Sequence, residues 1–415
     1  MASVGLLYAY LGEPARAMEY YTKAFQLRQH ASERERLSIE AAYYKQVTGE
    51  LDKAARVYQE EVANYPRDAT GYADLAGIYS AEGLWEKATD ICREAVRLSP
   101  DWVVGYENLA NYAIDSQQFD ETRRIIQQAQ ARKLDDSGLR SDLYALAFLS
   151  SDARSMAEQL QWFAANPDYE NVGLMLASDS EAYAGHIRKA RELTKAAIDS
   201  AIRADNKEAP GIWQEIAAQR EGVVGNSTEA KAFAEDGLKL YPSSQGIEVE
   251  AALAFALVGD AAHAQSLSSD VNRRFPLNTQ IQSVWEPAIQ GQIAINQKNP
   301  TVALRALHPA SDELGNIQFV TNGSCLNTVY VRAEAYLLAG QGKESAAEFQ
   351  RILDHSGIVW NCWTGALARL GVARANALQA KSSQGADAAA ARVRALAAYR
   401  DFLTLWKDAD PTSLY

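Results

Sequence analysis

The sequence predicts an all-α protein, a right-handed superhelical solenoid of about eleven helix-turn-helix repeats. Apolar residues recur at helical spacing along nearly the whole chain, and stretches of strand character are almost absent. Gly, Ala and Pro return at fixed places within each unit, and the unit itself repeats at a period of about 34 residues.

The clearest unit covers residues 70–100. Tyr72, Leu75, Ala76 and Tyr79 make the i, i+3, i+4, i+7 stripe of a first helix. Gly83 breaks that helix, Ala88 and Ala95 lie on a second, and Pro100 ends the unit. Small residues let paired helices approach closely, while Gly and Pro supply the turn and the stop. One period upstream stand Ala41, Gly49, Ala54, Tyr58 and Pro66; one period downstream stand Tyr106, Leu109, Ala110 and Ala129. Ser32 and Glu35 form a capping box for the upstream first helix. A partial unit opens the chain with Gly5, Tyr8, Gly12, Ala17, Tyr21 and Ala24.

Beyond Asp135 the pattern thins but continues. Leu143, Met156 and Pro167 mark one unit, and Ala177, Ala190 and Ala197 the next. Trp213, Ala217, Ala230 and Pro242 follow, then Ala252, Gly259, Ala264 and Pro276. The last units carry Gly291, Ala303 and Leu307; Tyr336, Gly340 and Phe349; and Leu370, Gly371, Ala395 and Tyr399. An Ala/Gly/Ser-rich insertion at 380–391 splits the final unit and reads either as a loop or as a helix extension. Longer joints at 203–210 and 309–324 divide the array into an N-terminal part (1–202), a middle part (203–308) and a C-terminal part (309–415). Ile317 to Val320 reads as an extended connection before the Asn322-Gly323 turn.

This alternation of a large residue, Leu, a small residue, Tyr, Gly, Ala, Ala and Pro resembles the tetratricopeptide (TPR) repeat. A narrower resemblance rests on strings spread along the chain. They are Leu11-Gly12-Glu13-Pro14, Ser32-Glu33-Arg34-Glu35-Arg36, Ala131-Arg132-Lys133-Leu134-Asp135-Asp136 and Arg188-Lys189-Ala190-Arg191-Glu192-Leu193. Near the end come Glu348-Phe349-Gln350-Arg351-Ile352-Leu353-Asp354-His355 and Asp401-Phe402-Leu403-Thr404-Leu405-Trp406-Lys407-Asp408-Ala409-Asp410-Pro411. These are similar to the C-terminal TPR region of acidobacterial-type serine/threonine kinases. The resemblance implies a sensing or interaction region beyond a kinase domain and a membrane span, hence on the extracytoplasmic side. The chain departs from that pattern in having no Gly-rich loop, H-R-D or D-F-G string, and both ends look cut, so a fragment is expected. A stand-alone cytoplasmic adaptor is the alternative.

Composition narrows the function classes. The 415 residues carry 41 Lys+Arg against 53 Asp+Glu, a net charge of -12, which disfavours a nucleic-acid backbone as the main partner. No run of about 18 apolar residues suggests a membrane span, and Met1 to Tyr10 lacks a signal peptide's basic start. His30, His186, His263, His308 and His355 fall into no metal motif, so no metal is expected. His355 follows a second helix and suits its C-terminal carbonyls. Gly340-Gln341-Gly342-Lys343-Glu344-Ser345 lacks phosphate-loop spacing and reads as an inter-helix turn. No catalytic residue and no cofactor are expected, although distant residues could still assemble an enzyme site in the groove.

The expected function is a protein- or peptide-binding scaffold whose first helices line a concave groove. Its early positions are Arg36, Tyr43, Glu107, Asn111 and Asp115, with Thr70, Ala73 and Gly77 between them. Asn111 stands where chaperone-binding TPR proteins use an Asn clamp, but Glu107 replaces the clamp's Lys and would repel a peptide carboxylate. Cys92 falls on a core position. Cys325 and Cys362 open first helices of successive units, which brings them within reach of a disulfide, or leaves two unlinked thiols near a loop. Trp213 suits a repeat core. Trp360 and Trp363 read either as packing over the preceding loop or as a binding hot spot. The oligomeric state is left open.

Overall fold

The computed structural model describes residues 1–10, 14–206, 208–242, 244–308 and 324–411. Leu11, Gly12 and Glu13 of the Leu11-Gly12-Glu13-Pro14 string, the Ile317 to Val320 connection with its turn, and most of the second long joint fall on residues outside these ranges. Among the described residues every regular element is helical, and the helices fall into eleven antiparallel pairs. The first four pairs are α1 (Ala2–Tyr10) with α2 (Pro14–Gln26), α3 (Glu33–Tyr43) with α4 (Leu51–Asn64), α5 (Ala69–Ala81) with α6 (Trp85–Leu98), and α7 (Val103–Asp115) with α8 (Phe119–Ala131). Next come α9 (Ser137–Leu149) with α10 (Ala153–Ala164), α11 (Glu170–Tyr183) with α12 (Ile187–Arg203), α13 (Ala209–Val223) with α14 (Ser227–Leu240), and α15 (Gln245–Leu257) with α16 (Ala261–Arg274). The last are α17 (Glu286–Asn296) with α18 (Pro300–Leu307), α19 (Asn327–Leu338) with α20 (Gly342–Asp354), the short α21 (Ser356–Val359), and α22 (Trp363–Ser382) with α23 (Gly385–Leu405).

The local signals explain these bounds. Ser32 accepts from the Glu35 backbone while Glu35 returns the bond, the capping box expected for α3. Asp136 and Asp152 cap α9 and α10 by accepting from the N–H groups of Leu139 at 3.0 Å and Ser155 at 3.1 Å. His355 Nδ1 lies 2.7 Å from the Arg351 carbonyl at the end of α20. The insertion at 380–391 resolves as helix extension: α22 and α23 run 20 and 21 residues and meet at Ser383 and Gln384.

In pairs two to ten the turn between the helices holds one residue in the left-handed region. It is Gly49, Gly83, Gln117, Ser151 and Gly185, each 34 residues after the last, then Gly225, Gly259, Lys298 and Gly340. Only glycine enters that region freely, so the turns at Gln117, Ser151 and Lys298 are disguised in sequence. Close approach of paired helices rests on small residues with no exposed surface at all: Ala54, Ala88, Thr122, Ala190, Ala264, Ala303 and Ser345.

First helices in the middle of the array are buried on every side. On α15, Gly246 through Ala256 are all buried, and α13 packs Trp213, fully buried, with its indole N–H donating to Asn171 Oδ1 at 3.2 Å. A solenoid touching only its neighbours would leave one face of these helices open. They are closed because the chain curls back onto its own edge. The Thr279 N–H donates to the Gly49 carbonyl at 2.9 Å, and its hydroxyl accepts the Leu51 N–H at 3.2 Å. Asn278 sits so close to Gly49 that any side chain there would collide with it, besides having to adopt a φ of 68°. Gln280 donates to the Ala81 carbonyl at 3.3 Å, and Gln117 Oε1 accepts the Gly357 N–H at 3.1 Å. Further along, Asn361 donates to the Leu176 carbonyl at 2.8 Å, and the Asp410 N–H to that of Gly185 at 3.0 Å. These bonds form a seam along which pairs eight to eleven rest on the turn edge of pairs two to six.

Candidate functional site

The residues expected to line the groove meet different surroundings. Arg36 is half-buried on α3, its guanidinium 3.1 Å from Glu40 and 3.9 Å from Glu60. Tyr43 lies stacked on Phe25, ring centroids 3.9 Å apart. Between the two sides of that surface Lys45 reaches Asp74 at 3.4 Å. Thr70 is exposed, Ala73 is buried, and Gly77 is half-buried beside the Tyr112 hydroxyl. Asn111 is half-buried on α7.

The remaining two are drawn inward. Glu107 tucks under the start of α9 against Gly138, where a Cβ would strike its carboxylate. Burial, then the charge of Asp136 and a hydrogen bond to it, raise the Glu107 pKa to about 8. Asp115 is 3 % exposed at the end of α7 on which α21 docks, its Oδ1 has no partner, and burial holds its pKa far above the carboxylate range. Of the five, Asp115 alone is buried; Arg36, Tyr43, Asn111 and Glu107 are half-buried, with the Glu107 carboxylate turned under α9. Local periodicity puts all five on one helix face; the chain's return over pair four is what removes Asp115 from it.

The C-terminal half has a filled interior. Residues from α13, α15, α17, α19 and α22 surround a cavity of about 30 Å³, enough for one water. Gln219 on α13 donates to the Glu250 carboxylate on α15, and its own oxygen accepts from Asn327 at 3.3 Å. Burial raises the Glu250 pKa to about 8, against the lowering effect of Gln219. Glu215, fully buried beside it, has no hydrogen-bond partner on either oxygen; burial first and Glu250 second raise its pKa. No periodicity argument marks these polar groups, because they occupy helix faces that a regular repeat leaves to solvent.

Cys325 borders that cavity, its Cα 5.5 Å from that of Cys362 and their sulfurs at bonding distance. Their neighbours are backbone outliers: Leu326 at φ 46° and Trp360 at φ 50° both lie in the left-handed region that bulky residues avoid. Trp360 is buried in the core of the N-terminal pairs, and Trp363 packs edge-on to Tyr330 at 5.0 Å. Both indoles serve packing, so neither is a surface hot spot. Cys92 is a fully buried free thiol whose pKa burial raises to about 12. Among the described residues no group of three or more His, Cys, Asp or Glu is arranged to hold a metal ion, and no helix is long and apolar enough to cross a membrane.

Fold and surface together define a class, the all-α helical-repeat solenoid. No family model and no curated protein matches the chain. Among solved structures it is similar to the crystal structure of the P58(IPK) TPR domain, at 15% identity over 85% of this chain and 100% of that one, TM-score 0.25. It is similar also to yeast Tom70 (13% identity, 90% and 98% covered, TM-score 0.34) and to the human IFIT1 dimer with PPP-AAAA (14% identity, 98% and 82% covered, TM-score 0.41). These likenesses are of helical arrangement; the eleven pairs above carry the class without them.

Proposed function

We propose that the protein is a non-catalytic scaffold that binds a peptide or protein segment along the first-helix face of its N-terminal pairs. The observation that supports this most directly is the rank of half-exposed polar and aromatic groups Arg36, Tyr43 and Asn111 on helices that the seam holds in fixed positions. A preformed surface orders few groups on binding, which favours affinity. The test is selection from a random peptide display library. Enriched peptides should lose about tenfold in affinity to Arg36→Gln or Asn111→Ala, the scale of one buried polar contact. Peptides that ignore both variants would sink the reading.

The kinase-like strings support a finer version, in which the chain is the sensing or interaction region of a larger bacterial signalling protein on the extracytoplasmic side. The stand-alone cytoplasmic adaptor rests on the same array. Reading the native gene upstream of the Met1 codon separates them. A continuous frame encoding a membrane span and a kinase favours the first, and an in-frame stop leaves the adaptor.

A further inference from the structure

The second helices of the last two pairs enclose a different surface. Helices α20 and α23 each pack on α22 and leave between them a groove of about 530 Å³. Its apolar part is low and smooth: Ala346, Ala347 and Leu353 on α20, Ala397 and Ala398 on α23, and Val372 on α22. Side chains this small let another backbone approach closely. The lining runs from Lys343 to Leu353 along α20, ten helical steps or roughly 15 Å, the length of about three turns of helix.

Three cations converge on this groove: Lys343, Arg369 and Arg394. Many other surface arginines have carboxylates beside them, as Arg97 has Glu94 at 2.8 Å and Arg123 has Asp120 at 2.9 Å. Among the described residues, none of the groove's three cations is in an ion pair. Arg394 is instead held by neutral amides, its Nε donating to Asn376 Oδ1 at 2.8 Å and a terminal nitrogen to Gln379 Oε1 at 3.1 Å. Asn376 is 4 % exposed and anchored in turn to the Val372 carbonyl at 2.9 Å, so the guanidinium is positioned from below. Arg369 donates to the Tyr183 hydroxyl at 3.4 Å, and its buried Nε has no partner. Asp401 is the one acidic residue of the lining, which leaves a local charge of three minus one, or +2, on a chain of net charge -12. A positioned guanidinium without a carboxylate favours one strongly, and the fork geometry of Arg suits it.

We propose that this groove docks an acidic amphipathic helix of a partner protein. The helix lays its small apolar residues on the alanines and turns carboxylates one turn apart toward Arg369 and Arg394. This surface is separate from the first-helix face of the N-terminal pairs, and it gives the chain a second docking mode.

The probe is a fluorescein-labelled helical peptide of Ala, Leu and Glu with Glu at i and i+4, titrated by anisotropy into the full chain. Its control carries Lys in place of every Glu. The Glu peptide should bind, weaken with salt, and outcompete the Lys peptide. Arg394→Gln should weaken it about tenfold, a typical cost for one side of an interfacial charge pair, and Ala347→Glu should abolish binding. Arg394 and Ala347 are exposed, so both variants should keep the parent's melting temperature. Arg36→Gln should leave this binding intact, which separates it from the concave-face reading. Absent binding, equal binding of the Lys peptide, or binding indifferent to Arg394→Gln and Ala347→Glu would overturn the proposal. So would a concentration-dependent dimer that Ala347→Glu dissolves, because the groove would then belong to a second copy of this chain.

Discussion

The indole N–H of Trp406 donates to the backbone carbonyl of Tyr183 at 3.0 Å, joining residues 223 apart in sequence. Trp406 is 8 % exposed and packs on Phe402 with ring centroids 5.0 Å apart. Beside it Asp410 accepts the Arg188 N–H at 2.7 Å and a guanidinium N–H at 3.0 Å. The last helix is thus fastened to the turn between α11 and α12, and the seam has a definite end.

Trp406→Ala should therefore cost about 3–5 kcal/mol, the range for emptying a large buried aromatic site. Trp406→Phe keeps most of the packing and loses the N–H donor, at about 1 kcal/mol. Urea denaturation measures both. Small-angle scattering should show a larger radius of gyration for the Ala variant alone; a radius unchanged by it would mean that the seam closes without this anchor.

Acid should stabilise this protein over most of the neutral range. Burial raises the carboxyls of Glu107 and Glu250 to about 8 and that of Asp179 to about 6, the last against the pull of Arg220 at 2.9 Å. Their unfolded values lie near ~4. The folded state then binds more protons than the unfolded one, so stability falls as pH rises from ~4 through about 8 and levels off above. Each such group contributes up to about 1.4 kcal/mol per pH unit within its window. Glu250→Gln should flatten part of that slope and raise the melting temperature at pH 8. A melting temperature that climbs from pH 5 to pH 8 would contradict this account.

Two glycines separate crowding from backbone conformation. A Cβ on Gly357 would run into the Ile114 carbonyl oxygen, whereas one on Gly259 meets nothing within 4 Å but must sit at φ 80°. Gly259→Ala should cost about 1 kcal/mol through its backbone alone. Gly357→Ala should cost roughly 1–3 kcal/mol and push α21 off α7. Amide exchange at 114–117 should quicken in the second variant and stay slow in the first.

We expect Cys325 and Cys362 to be bridged in protein purified without reductant. Thiol titration in denaturant should then find one reactive cysteine, Cys92, and three after reduction. Reduction should lower stability by about 2–4 kcal/mol, because the bridge closes a loop over a separation of 37 residues. Three thiols without reduction would refute the bridge and favour a reducing compartment.

Much of the fold was legible in the sequence. The Ala54, Ala88, Gly83 and Tyr79 spacing announces helix pairs because each helix chooses its partner within the next dozen residues. Part of the thinning beyond Asp135 has a physical cause: Ser151 and Lys298 take the left-handed turn position that glycine marks elsewhere. The candidate site was legible only in part. Arg36, Tyr43 and Asn111 lie on helix faces that periodicity assigns, but the fate of Glu107 and Asp115 hangs on neighbours that periodicity does not name. The cations of the α20–α22–α23 groove were missed because they come from three helices, and a lack of carboxylate neighbours is invisible in one dimension.

The helix, the pair and the period of this protein are written in its amino-acid order, since all three depend on contacts between residues less than one unit apart. Long-range packing is what closes the superhelix on itself, buries Glu215 and Glu250, and seats Trp406 beneath Tyr183. Each pair adds a small rotation to the last, and the sum over several pairs fixes which distant edges meet. No local pattern encodes that sum, so the seam and the surfaces it leaves open emerge only when the whole chain is packed.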